Sequence, residues 1–218
     1  MTQGPDAAGR PAFVRNWKKA VTKVVYDISQ EVFSCAVYPG DPAPEGKRLL
    51  SVEQGDVCNL TAFSMCAHNG THVDAPFHFL PAGKQIHELP VETFVGPCAV
   101  TEASGDLGAE EAEALLAKAA AWGVSARLLI RGPAVVTAEA ARVFAGSGLR
   151  LIGVESQSFG PVDAPMEVHL ILLGAEIALL EGIRLDRVPE GRYLLSAAPL
   201  NLGGCDGAPC RAVLMELP

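Results

Sequence analysis

Three of the chain's five histidines fall within one short stretch, His68-Asn-Gly-Thr-His72-Val-Asp74-Ala-Pro-Phe-His78, and an acid stands two places after the middle one. Imidazoles and a carboxylate at close spacing are the donor set of catalytic zinc and manganese sites. His68, His72, Asp74 and His78 share one parity, so a flat strand would point all four to one face. Distance forbids a straight strand. Four extended residues span about 13 Å, whereas an imidazole bound to an ion at about 2.1 Å keeps its Cα roughly 6 Å away. The segment must bend between His68 and His72, and Gly70 is placed to allow it. A helix would also bring i and i+4 together, but Gly70, Thr71, Val73 and Pro76 are poor in a helix interior. The ligand-type residues are therefore expected on a bent strand–loop.

Two histidines remain. His169 lies in Glu167-Val-His169-Leu-Ile-Leu-Leu, an apolar run, and is either a satisfied core histidine or a further donor. Glu181 ends the same run. Burying it unpaired would be costly, so it needs a cation or hydrogen-bond donors, and an ion would serve both residues. His87, in Lys84-Gln-Ile-His87-Glu88, reads as a solvated loop residue.

Composition excludes several classes. A formal net charge of −8 without clustered Lys and Arg argues against a nucleic-acid surface. The longest apolar stretches carry Glu176 and are far short of the roughly 20 residues of a membrane span. The six cysteines are scattered over 218 residues with no CxxC, so free buried thiols are expected rather than a disulfide framework or a thiolate metal site. Residues 1–22 read as an N-terminal arm that is flexible or clasps a partner subunit, with no apolar signal segment, and residues 23–218 as one domain. A soluble cytoplasmic protein is expected. No GxSxG elbow, Walker loop or GxGxxG fingerprint occurs. Cys66 is read as a packing residue rather than a nucleophile.

Periodicity predicts strands at Lys23–Ile28, Val57–Cys66, Pro97–Glu102, Arg127–Arg131, Leu149–Val154, Tyr193–Ala197 and Ala212–Leu217. Tyr38-Pro39-Gly40-Asp41-Pro42 is a turn cluster. Ala112, Leu115, Leu116, Ala119 and Trp122 mark one helix face, stopped by Gly123. Thr137 is placed to cap a helix over Ala138–Gly146. Met166–Leu180, apolar almost all round, is predicted as a buried helix whose end the pattern does not fix. Strands at both ends with β–α alternation between them imply an α/β protein with a mixed sheet and packed helices.

The stretch from His68 to Phe79 resembles the HxGTHxDAPxHF motif of the cyclase-like metal-dependent hydrolases, the family of bacterial kynurenine formamidase and isatin hydrolase. Tyr38-Pro39-Gly40-Asp41-Pro42, His169 with Glu181, and Gly207-Ala208-Pro209-Cys210-Arg211 follow the family's order, so that the resemblance spans roughly residues 23–217. It implies a swivelling β/β/α fold and a homodimer or homotetramer. It further implies two divalent ions, zinc or manganese: His68, His72 and Asp74 on the first, with Asp74 bridging to a second held by His169 and Glu181. His78 would be the acid/base. The implied chemistry is hydrolysis of a small, aromatic amide or lactam by metal-activated water. The alternatives are opening of a cyclic amide or lactone, and a non-catalytic metal-binding protein. Two departures bear on substrate. Tyr38 stands where kynurenine formamidases typically carry a Trp that packs on the substrate ring, and Glu155-Ser156-Gln157-Ser158 replaces a DTPS-like segment.

Overall fold

A computed structural model describes residues 24–217. The arm expected at residues 1–22 and the first residue of the first expected strand lie outside them.

In chain order the elements are β1 (Val25–Asp27), β2 (Glu45–Leu50), β3 (Leu60–Ser64), β4 (His72–Asp74), β5 (Val95–Glu102) and β6 (Gly105–Leu107). Then come α1 (Ala109–Ala121), β7 (Arg127–Arg131), β8 (Ala134–Val136), α2 (Ala138–Ala145), β9 (Leu151–Val154) and α3 (Met166–Gly174). Last are β10 (Ala178–Glu181), β11 (Gly191–Ser196), β12 (Gly207–Pro209) and β13 (Val213–Glu216). Nine strands form one mixed sheet in the order β1-β13-β11-β5-β7-β9-β10-β4-β12. Its centre, β5-β7-β9-β10, is parallel, and both flanks are antiparallel. The expected α/β class and mixed sheet are what the chain adopts.

Strand alternation sorts the core into two layers. Leu128, Ile130, Ile152 and Leu179 face the three helices, where Phe144 of α2 and Leu172 of α3 are fully buried. Leu129, Leu151, Leu180 and Val73 face the opposite way, against Ile28, Leu195 and Leu214. The amphipathic faces of α1 and α2 are therefore spent on one side of the sheet. Thr137 does cap α2, its hydroxyl accepting from the Ala140 N–H. The six cysteines are all free thiols, but the burial expected of them fails: only Cys98 is buried, Cys58 is exposed and the other four are partly exposed.

A second expectation holds only in part. Met166–Leu180 is not a single helix: α3 ends at Gly174, and Glu176 takes a left-handed conformation with φ 58°. The chain then enters β10, which pairs parallel with β9. A run apolar on every side carries no period, so it cannot distinguish a buried helix from a buried strand. Gly174 was the available stop signal. Other strands differ only at their ends, β3 being shorter than Val57–Cys66. The short strands β2, β6, β8 and β12 were not foreseen; β2, with the sequence EGKRLL, is exposed along nearly its whole length and shows no alternation.

Gly70 adopts φ 64°, in the left-handed region. A Cβ there would also lie 2.9 Å from the Cys35 Cβ. Gly70→Ala should lower unfolding free energy by about 1–2 kcal/mol from the left-handed backbone alone, with the steric contact adding to it. Denaturant titration of the two proteins checks this; equal midpoints would show that the bend does not depend on glycine.

Candidate metal centre

The site forms where β4 is clamped between two neighbours. In β10, Glu181 lies opposite His72 and Leu179 opposite Asp74. In β12, Pro209 and Gly207 lie opposite the same two residues. Period-two alternation buries Val73 in the apolar layer and leaves His72, Asp74 and Glu181 on the face beneath α3. From α3 His169 reaches the same place. Pro76 opens a tight turn over Pro76–His78, which carries His78 back over His68, their rings stacked at 4.0 Å. The bent strand–loop expected for residues 68–78 is what the chain forms.

Asp74 is the centre of the cluster and is fully buried. Its Oδ1 lies 2.8 Å from His68 Nδ1 and 3.3 Å from His72 Nε2. Its Oδ2 is 3.7 Å from His169 Nε2. Glu181 completes the ring, with Oε2 at 3.2 Å from His72 Nε2 and Oε1 at 3.2 Å from His169 Nε2. Donor atoms converge in two groups, His68–Asp74–His78 and His72–Asp74–Glu181, which share Asp74. All five residues expected as ligands, and the expected acid/base His78, are thus brought to one place. The grouping differs from the one the resemblance implied: His78 sits within ligand distance of the first group, and His169 lies at the margin of the second.

The residues fit an ion on two counts. His72 Nδ1 lies 3.0 Å from the Gly70 carbonyl and His169 Nδ1 lies 2.8 Å from the Pro165 carbonyl. Each carbonyl can only accept, so each ring donates from Nδ1 and turns Nε2 inward, the arrangement by which ligand histidines are held. Moreover His72 Nε2 and Asp74 Oδ2 are buried without a hydrogen-bond partner. Orphaned buried polar atoms are destabilising, and a cation placed among these donors would satisfy both.

Two residues of the site were missed in the sequence. Asp206, one residue before β12, places Oδ2 at 2.8 Å from His68 Nε2 and 3.0 Å from His78 Nδ1. Its signal was adjacency to the Gly207–Arg211 segment. Gln157 donates to the carbonyls of Gly70, at 2.7 Å, and His68, at 3.1 Å, pinning the bend. Within the divergent segment, Glu155 does not reach the site; it accepts from the backbone N–H groups of Gly132 and Leu185. His87 is exposed, as expected.

A cleft of about 420 Å³ opens onto the cluster, with Tyr38, Asp41, Cys66, Phe79 and Gln157 among its walls. Among the described residues no helix is long and apolar enough to cross a membrane.

Sequence comparison matches residues 26–161 to the cyclase family, well over half of the chain. The chain belongs to the cyclase family. A kynurenine formamidase from Maricaulis maris is 36% identical over 89% of this chain and 99% of its own length. A protein from Bacillus stearothermophilus described as a predicted metal-dependent hydrolase is 26% identical, with a TM-score of 0.73 over 90% of this chain and all of its own. Isatin hydrolase A from Labrenzia aggregata, bound to benzyl benzoate, shares the fold at a TM-score of 0.78. It is 22% identical over 94% of this chain and 99% of its own. The family expected from the histidine motif is therefore the family found, and this cyclase chain covers its relatives almost end to end.

Burial opposes protonation of His68, but hydrogen bonding and charge from Asp74, aided by Asp206, outweigh it and raise the imidazole to about 9. His72 and His169 are raised too, burial again being overcome by Asp74 and Glu181. A histidine raised above its unfolded value near 6.5 stabilises the fold fully below that pH, and the contribution disappears as pH climbs through the folded value. Chelator-stripped protein should therefore lose melting temperature between pH 6.5 and pH 9.5. His68→Gln should flatten that slope. A melting temperature that rises or stays level across the interval would contradict the ion pairing described for His68.

Proposed function

We propose that this chain is a metal-dependent hydrolase of an amide C–N bond, with N-formylkynurenine, cleaved to kynurenine and formate, as the reading its curated relatives favour. The observation that carries the proposal is the division of Asp74. One oxygen faces His68 and His72, the other faces His169, and His78 stands in the same cleft. A carboxylate so divided could serve two ions at once. His68, His72 and Asp74 would hold one ion, and Asp74, His169 and Glu181 the other, as zinc or manganese.

When bound, divalent ions supply Lewis acidity toward a carbonyl and make water more acidic at neutral pH. The chain supplies the rest. His78 is the one imidazole of the cluster that is a quarter exposed. With Nδ1 engaged by Asp206, its Nε2 is the nitrogen left to move a proton to the departing amine, which leaves poorly as an anion. Tyr38 and Phe79 provide aromatic walls, a fit for an aryl substrate. Glu181 adds a second buried anion, which favours retention of two dications over one. Six free thiols agree with a reducing compartment and hence a cytoplasmic location.

We also propose self-association through the β2–β3 hairpin. This two-stranded sheet leaves Leu49, Leu60 and Phe63 about half exposed, and an isolated hairpin is marginal in water. Beside it runs an apolar groove of about 630 Å³ lined by Phe33, Phe63, Met65 and Leu200. An exposed apolar hairpin beside an apolar groove on one chain suits a two-fold contact, in which the same patch meets itself. Phe63→Glu should shift the protein toward monomer in analytical ultracentrifugation; an unchanged distribution would place the interface elsewhere.

The site assignment is tested by measuring metal content and rate together, on N-formylkynurenine, isatin and simple lactones. His72→Ala should lose metal and activity together. Glu181→Gln should bind one ion per chain where the parent binds nearly two. His78→Ala should keep its metal and lose about 10²–10⁴ in rate. Parent protein that saturates at one ion would refute the paired site, and turnover of isatin alone would move the substrate to cyclic amides.

A further inference from the structure

One oxygen of Asp206 touches two histidines of the cluster, His68 and His78. Its position is fixed by backbone. Ala75 N–H donates to the Asp206 carbonyl at 2.9 Å, and the next residue, Gly207, lies opposite Asp74 in the β12–β4 pair. That pairing needs glycine: a Cβ on Gly207 would sit 2.8 Å from both His68 Cε1 and the Val73 carbonyl oxygen. The side chain is thereby held at the mouth of the cleft, 40% exposed.

From there Oδ2 accepts from His68 Nε2 at 2.8 Å and from His78 Nδ1 at 3.0 Å. The two rings stack at 28°, so their nitrogens present to one carboxylate side by side. The other nitrogen of His68 is 2.8 Å from Asp74 Oδ1.

We propose that Asp206 is a positioning residue that serves both halves of the reaction: it fixes His68 as a ligand through Nδ1 and fixes His78 as a proton carrier through Nε2. This rests on the hydrolase reading. A ligand histidine needs an acceptor on its second nitrogen to set tautomer and ring angle, and a proton-transferring histidine needs the same. Here a single oxygen meets both needs, so the orientation of the proton carrier is tied to that of the ligand.

The experiment places Asp206→Ala and Asp206→Asn in the parent and in His78→Ala. Two quantities are read: Zn²⁺ affinity by chelator competition, and kcat and KM for N-formylkynurenine at saturating Zn²⁺. Asp206→Ala should weaken Zn²⁺ about 10–100-fold, the usual cost of losing such a partner. It should also lower kcat about 10–100-fold with KM little changed. In the His78→Ala background kcat should fall no further, while the loss of Zn²⁺ affinity persists. Asp206→Asn, which keeps an acceptor oxygen in place, should fall between Asp and Ala, separating lost hydrogen bonding from lost packing. Unchanged Zn²⁺ affinity in Asp206→Ala would overturn the role toward His68. An equal kcat loss with and without His78 would overturn the role toward His78. A parent protein with no turnover of N-formylkynurenine would count against the hydrolase reading instead, and the Zn²⁺ measurement would still decide whether Asp206 positions His68.

Discussion

A carboxylate with no access to water sets the terms for this molecule. Removing Asp74 from solvent carries a penalty of several kcal/mol unless cationic partners and hydrogen bonds replace the lost hydration. The surrounding imidazoles supply those partners. Burial alone would raise the acid, but the hydrogen bond from His68 and the charges of His72 and His68 hold it well below the usual carboxylate range. Each of those imidazoles in turn needs a fixed orientation. The carbonyls of Gly70 and Pro165, the side chain of Gln157 and the carboxylate of Asp206 provide it. The bend at Gly70, the tight turn at Pro76 and the placement of α3 over the sheet all serve one charge-balanced cluster.

The sheet converts this requirement into geometry. A three-residue strand could not hold two donors rigidly by itself. Sandwiched between β10 and β12, β4 has ladder partners on both edges, and its register sets Glu181 against His72 without adjustment by flexible side chains. This is also why the cleft has mixed walls. The buried side is built from strands and is polar and charged, whereas its outer part is built from loops carrying Tyr38, Cys66 and Phe79. The rigid part suits the fixed demands of the proposed ion site, and the loop part is where the proposed hydrolase would read substrate shape.

Much of this was legible in the sequence because the donors of β4 are local. Spacing and parity within residues 68–78 already required a bend, and Gly70 located it. His169 and Glu181 were legible as residues that burial alone would not explain, but the point where helix gives way to strand between them was not, because uniform apolarity hides the period. Asp206 was not legible: an acid in a Gly-rich segment looks like any solvated turn residue until β12 is paired to β4. Gln157 was noticed only as a departure from a familiar segment, since nothing in its neighbours says that its amide crosses to the bend. The β2–β3 hairpin was half seen, because strands exposed on both faces lack the alternation by which strands are recognised.

The clamping of β4 also has a consequence for how the chain acquires its site in time. Thr71 donates to the carbonyl of Gly182, 111 positions away in sequence, and Asp206 reaches the cluster from nearer still to the C-terminus. Contacts so remote form late, since the intervening chain must first surrender its freedom. During synthesis the motif at residues 68–78 emerges early, carrying imidazoles and a carboxylate but lacking the strands that orient them. The parallel centre β5-β7-β9-β10 can assemble before β12 exists, and β12 is the piece that closes the second edge. Loss of the last strands would thus leave a chain that retains its histidine motif and much of its core but has no organised place for an ion. At the proposed site, metal uptake would report on completion of the β12 edge of the sheet and not on the presence of the motif alone.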